Sequence, residues 1–202
     1  AHRTCNARVR GSSPLVGSMS KRALVVIDVQ QGFSAYDESG ERNNPHCETN
    51  ISTLLGAWRA DSLPIVYVRH DSKSETSVLR PGQAGNDFKD VLTGQPDLLV
   101  SKSVNSAFYG TPDLDAWLKQ NNITELAICG IQTNMCCDVT ARMAGNMGYD
   151  VWFVIDAMHT FAKTANGVKL SAQQLSDATA VNLQGDFAEV IETAEAIRRL
   201  AR

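Results

Sequence analysis

The stretch Ala23-Leu-Val-Val-Ile27 is apolar throughout. A strand with one wet face alternates polar and apolar residues, so an unbroken apolar strand is one covered on both faces. The pattern returns at Leu63 to Val68, Leu98 to Val100, Leu126 to Cys129 and Val151 to Ile155, with a shorter candidate at Ala188 to Ile191. Helical patterns fall between the runs: Asn50 to Ala60, Asp113 to Asn121, Met135 to Met147, Ser171 to Leu183, and a terminal Thr193 to Leu200. Such alternation specifies a mostly parallel sheet with helices on its faces. The expected fold is α/β: a single three-layer α/β/α domain on a six-stranded, mostly parallel, Rossmann-like sheet.

The bulk numbers agree with this expectation. A chain of 202 residues suits one compact domain. With 43% hydrophobic and 20% charged residues it reads as an ordinary globular protein. No apolar run reaches membrane-span length. Residues 1–18 differ from the rest: they carry Arg3, Arg8 and Arg10, no acid, and a Gly/Ser/Pro-rich stretch. They read as a leader or tag, with the folded domain over 19–202. Without those three arginines, 16 basic residues face 22 acidic ones, which argues against nucleic acid as a partner. The cysteines Cys5, Cys47, Cys129, Cys136 and Cys137 form no C-x-x-C pair. That pattern suits free thiols in a reducing, cytoplasmic setting.

In open α/β sheets, ligands bind beyond the carboxyl ends of the strands. The first strand ends at Asp28, the second at Arg69 and His70, and the third at Lys102. The fourth runs into Gly130-Ile-Gln-Thr-Asn134, with Cys136 just after it, and the fifth ends at Asp156. A carboxylate, an ammonium and a thiol thus share one rim. Singly, each has an ordinary role: Asp as a turn residue, Lys in solvent, Cys in packing. Together their chemistry is complementary. A thiol attacks as its thiolate. Cys136 is expected in the first turn of a helix capped by Thr133 or Asn134, where the dipole and Lys102 favour negative charge. Asp28 can take the thiol proton and return it to a leaving amine. The Cys136 amide can face a developing oxyanion.

These residues carry a resemblance. Val26-Ile-Asp-Val-Gln30 with Phe33, Lys102 ahead of Asn105-Ser-Ala-Phe108, and Gly130 through Cys136 strongly resemble the isochorismatase-like cysteine hydrolases, which include nicotinamidases, carbamoylsarcosine amidases and streptothricin hydrolases. The resemblance continues through Thr140-Ala-Arg142, Gly148-Tyr149, Asp156-Ala157 and Phe187-Ala188. It implies an Asp28-Lys102-Cys136 triad, a non-proline cis peptide at Ile131–Gln132, and an oxyanion hole from the amides of Gln132 and Cys136. It places Cys136, not Cys137, at the nucleophile position. It also implies a homodimer or homotetramer acting on a small-molecule amide.

The chain departs from nicotinamidases in one respect. Their metal-holding Asp-x-His is missing from the segment with Asp37 and His46, and His70 is at most a remnant. No metal and no cofactor are therefore expected. Phe33, His70, Asn105, Phe108 and Tyr109 are candidate pocket walls, as are the long loops Gln31 to Glu48 and Asp71 to Gln95. His159 is expected to be structural or at the pocket rim. The leading reading is amide hydrolysis through a thioester on Cys136, with Lys102 lowering the thiol pKa. Two others stand beside it: ether or ester cleavage guided by Asp28 alone, and a non-enzymatic protein whose adjacent Cys136 and Cys137 respond to oxidation.

Overall fold

The computed structural model describes residues 21–37 and 42–201; the leader or tag expected over 1–18 lies outside them. Strands β1 (Lys21–Ile27), β2 (Ile65–His70), β3 (Leu98–Lys102), β4 (Ile123–Ile131), β5 (Asp150–His159) and β8 (Glu189–Ile191) form one sheet in the order β3-β2-β1-β4-β5-β8. Every pairing within it is parallel. Helices α3 (Leu114–Gln120), α4 (Asp138–Asn146) and α5 (Ala172–Leu183) cover one face, and α2 (Cys47–Ala60) and α6 (Thr193–Leu200) the other. A short α1 (Ser34–Asp37) precedes them. No helix among the described residues is long and apolar enough to cross a membrane.

The apolar run of β1 shows why the layers form. Successive side chains of a strand point to opposite faces. Ala23, Val25 and Ile27 pack with Leu114, Leu118, Ala141 and Leu183. Leu24 and Val26 pack with Ile51, Leu54, Trp58 and Ala196. All five strand residues are fully buried. The helix starts carry their own signals. Asp113 accepts a hydrogen bond from the Ala116 amide, and Ser171 with Gln174 makes a reciprocal capping box.

The second and third strands end at His70 and Lys102, as expected, but one expected end moves. The fifth strand does not end at Asp156 but continues to His159, through a register shift in which Ile128 faces Phe153 while Gly130 faces Met158. The irregular stretch turns Asp156 away from the rim. Its carboxylate accepts from the Thr193 amide and hydroxyl, and its carbonyl from Asn44 and Asn50. A hairpin of β6 (Lys163–Ala165) and β7 (Val168–Leu170), absent from the sequence reading, follows β5. Its turn residues Asn166 and Gly167 both take positive φ, 51° and 77°, as a tight hairpin turn requires.

The strand order reverses between β1 and β4. Chain from β1 proceeds outward to β2 and β3, then returns across the sheet to β4. The crevice at such a reversal is where open α/β sheets place their ligands.

Candidate active site

Asp28 follows β1 in the left-handed region (φ 51°), a conformation that aspartate tolerates better than most residues. Its amide donates to the Val68 carbonyl at 2.9 Å. Lys102 ends β3 in register with His70 of β2, and its side chain reaches across β2 toward Asp28. Gly130 prepares the third position. A Cβ there would lie 2.1 Å from the Ile27 carbonyl oxygen, at a φ of +129°, so only glycine lets β4 close on β1 at this level. The chain then passes the Ile131–Gln132 peptide, which is cis, into one π turn, Thr133–Cys137.

That turn corrects the expected first turn of an α-helix. The Gln132 carbonyl accepts from both Met135 and Cys137, and α4 starts only at Asp138. Neither Thr133 nor Asn134 caps it. Asn134 Oδ1 instead accepts from the Thr160 hydroxyl, and the Thr133 hydroxyl is buried with no hydrogen-bond partner among the described residues.

Three groups converge. Lys102 Nζ donates to Asp28 Oδ2 at 2.6 Å and to Cys136 Sγ at 3.3 Å. Asp28 is fully buried, Lys102 nearly so, and Cys136 is 9% exposed. The second carboxylate oxygen, Asp28 Oδ1, is buried and takes no hydrogen bond from any described residue. On the outer side, exposed Asn105 brings its Oδ1 to 3.9 Å from the sulfur. Cys137 is fully buried in the core.

The electrostatics at the sulfur are a balance in which Lys102 lowers the thiol pKa, as expected, but does not prevail. Burial tends to lower the Lys102 pKa, but Asp28 and the Cys136 sulfur outweigh it and hold the ammonium above the usual lysine range. At Cys136 the opposing influences are unequal. Burial and then the Asp28 charge push its thiol up to about 12, and Lys102 only partly opposes them. The paired charges of Asp28 and Lys102 largely cancel at the sulfur, which leaves desolvation in command. The resting group is a thiol beside a carboxylate.

The other candidates divide. His70 stands inside the cluster, with Nδ1 3.2 Å from Lys102 Nζ. Phe33 is buried and stacks on Phe161 at 6.2 Å. Phe108 is partly buried, stacks on Tyr149 at 6.0 Å and packs against the core. Tyr109 is 72% exposed. His159 is fully buried, edge-on to Phe161, with Nε2 3.9 Å from Glu48 Oε1. Donor atoms of Asp28, His70 and Cys136 lie within 4.8 Å of one another. The Lys102 ammonium sits within hydrogen-bond reach of all three, so the cationic position between them is already filled.

Two side chains that the sequence reading did not single out organise this rim. Gln30 brackets the His70 backbone, accepting from its amide at 2.8 Å and donating to its carbonyl at 3.1 Å. Asn86 donates to the carbonyls of His70 and Leu79 and to Asp71 Oδ1, which fastens the long loop after β2. Gln30 was detectable as a polar residue in an apolar motif. Asn86 lies in the loop Asp71 to Gln95, expected as a pocket wall, but no periodicity there marks the contacts it makes.

The model of the Isochorismatase domain family matches residues 22–195. The isochorismatase family protein YrdC of Bacillus subtilis is 34% identical, over 88% of this chain and 95% of its own. Nicotinamidase 3 of Arabidopsis thaliana is 30% identical, over 84% of each. A solved structure of an isochorismatase-family protein from Chromobacterium violaceum superposes with a TM-score of 0.84 at 37% identity, over 94% of this chain and 98% of that one.

Proposed function

This chain belongs to the isochorismatase family, and from that premise we propose that it hydrolyses an amide-type carbon–nitrogen bond of a small molecule through a thioester on Cys136. The observation that carries this reading is the contact of the Cys136 thiol with the Lys102 ammonium at 3.3 Å, beside an Asp28 carboxylate whose Oδ1 is buried and unengaged. A relative named for its action on nicotinamide, an amide, is in keeping with it.

The Cys136 sulfur attacks the substrate carbonyl carbon as its proton passes to Asp28. The carbonyl oxygen becomes an oxyanion, received by the backbone amides of Gln132 and Cys136. The carbon–nitrogen bond then breaks, and Asp28 gives the proton to the departing nitrogen. Water attacks the thioester while Asp28 takes one of its protons. The acid leaves, and that proton returns to the sulfur. Lys102 stays charged throughout and keeps Asp28 in place. A thiol pushed up to about 12 needs this base, since it supplies almost no thiolate unaided at neutral pH.

An ammonia- and amine-release screen over small amides, with esters and vinyl ethers in parallel, tests the reading. Release from at least one amide, abolished in Cys136→Ala, is expected. Turnover of an ester or vinyl ether alone, undiminished in Cys136→Ala, overturns it in favour of cleavage guided by Asp28 without a covalent step.

A further inference from the structure

A lysine ammonium has three N–H donors, and three acceptors stand around Lys102 Nζ. Asp28 Oδ2 lies at 2.6 Å, Cys136 Sγ at 3.3 Å and His70 Nδ1 at 3.2 Å. A charged ammonium can share a hydrogen bond with a ring nitrogen only if that nitrogen is the acceptor. His70 is then neutral, with its proton on Nε2.

The His70 main chain is held more firmly than a strand end needs. It pairs in register with Lys102, is bracketed by the Gln30 carboxamide, and gives its carbonyl to Asn86 at 3.0 Å as well. The charged groups that face the ring are Lys102 from β3, Asp28 beyond β1, and Asp71 on its own segment. Asp71 is itself engaged by Arg69 at 2.8 Å and by Asn86 at 3.0 Å. The titratable Cys136 thiol approaches from the π turn, through Lys102.

We propose that His70 is the positioning residue for Lys102: its neutral Nδ1 takes the third ammonium proton, and its protonation releases Lys102 and disables the site on the acid side. The proposal rests on the reading of Asp28, Lys102 and Cys136 given above. The balance is simple. A proton arriving on Nδ1 removes the acceptor and sets a cation beside the Lys102 cation, and no other bond changes. Burial and the Lys102 charge both hold the imidazole pKa below its ordinary value, against a smaller pull from Asp28 and Asp71. The neutral form therefore prevails at neutral pH.

His70→Asn keeps an acceptor at the Nδ1 position but does not titrate. His70→Ala removes the acceptor. Cys136 alkylation by iodoacetamide, followed on the Cys136 peptide by mass spectrometry, needs no known substrate. The ratio of the wild-type to the His70→Asn rate is expected to change by about threefold or more across the interval in which His70 titrates, and to be level on either side. At neutral pH His70→Ala departs from wild type further than His70→Asn does. Nitrogen-detected NMR of the wild-type ring is expected to show the proton on Nε2. A level ratio, or a proton on Nδ1, overturns the proposal. If the ratio shifts while no amide in the screen is cleaved, the hydrolase reading fails and the His70–Lys102 coupling stands.

Discussion

The Lys102 ammonium and the Asp28 carboxylate form a 2.6 Å ion pair with side-chain exposures of 0% and 1%. Neither charge has water to fall back on, so removing one partner strands the other. Lys102→Met and Asp28→Asn are each expected to cost about 3–5 kcal/mol of folding stability. The double variant should cost clearly less than the two losses combined, because no uncompensated charge remains. Denaturant unfolding of the three variants measures this. Strict additivity would show that the two groups do not stabilise one another.

The resting state of Cys136 gives a spectroscopic prediction. With the thiol pushed up to about 12, the thiolate absorbance difference between wild type and Cys136→Ser should stay flat from about pH 6 to about pH 9. A step in that interval would mean that Lys102 outweighs burial and that the nucleophile is preformed.

Glu48 sets an acid limit on stability. Burial raises its pKa, but hydrogen bonds from Arg42 and Lys89 prevail and hold the carboxyl at about 2. A folded-state pKa below the unfolded one contributes stability that is fully present above the unfolded value and lost as pH falls through the folded one. Wild type should therefore shed about 2 kcal/mol through this group between about pH 5 and about pH 2. Glu48→Gln should lack that share of the acid limb while being less stable at neutral pH. Parallel acid limbs in the two proteins would count against the assignment.

Two glycines should respond in opposite senses. At Gly130 a Cβ meets the backbone of Ile27, which cannot yield, so Gly130→Ala is expected to cost roughly 3 kcal/mol or more and to displace the turn bearing Cys136. Gly56 lies in α2 with nothing within 4 Å of its would-be Cβ. Gly56→Ala should stabilise by about 0.5–1 kcal/mol. Thermal melts of the pair separate the local backbone requirement from the general cost of glycine.

Much of this molecule was legible in its sequence, for physical reasons. Strands buried on both faces must be continuously apolar, so β1 and β4 announced themselves, and the residues at their carboxyl ends followed. The 2.6 Å and 3.3 Å contacts of Lys102 bring together the residues which that rule placed on one rim. What stayed hidden depends on three-dimensional context. The π turn and the irregular path of β5 each insert residues that a fixed period cannot register. Nothing in the neighbours of Phe108 reveals that Tyr149 stacks on it. The thiol's high pKa is a balance of burial against two opposed charges, and no motif states how such a balance falls. The Asn166-Gly167 signal was present, but the flanking residues are exposed and carry no alternation to draw attention to it.

The central claim is that Cys136 carries the acyl group. Rapid acid quenching of the wild-type protein during turnover of an amide found by the release screen, followed by peptide mass spectrometry, tests it most directly. An adduct with the mass of the substrate acyl group is expected on the Cys136 peptide, absent in Cys136→Ser and accumulating when Asp28-assisted attack of water is slowed. Steady turnover with an unmodified Cys136 peptide at every quench time, matched by full activity in Cys136→Ala, would contradict it.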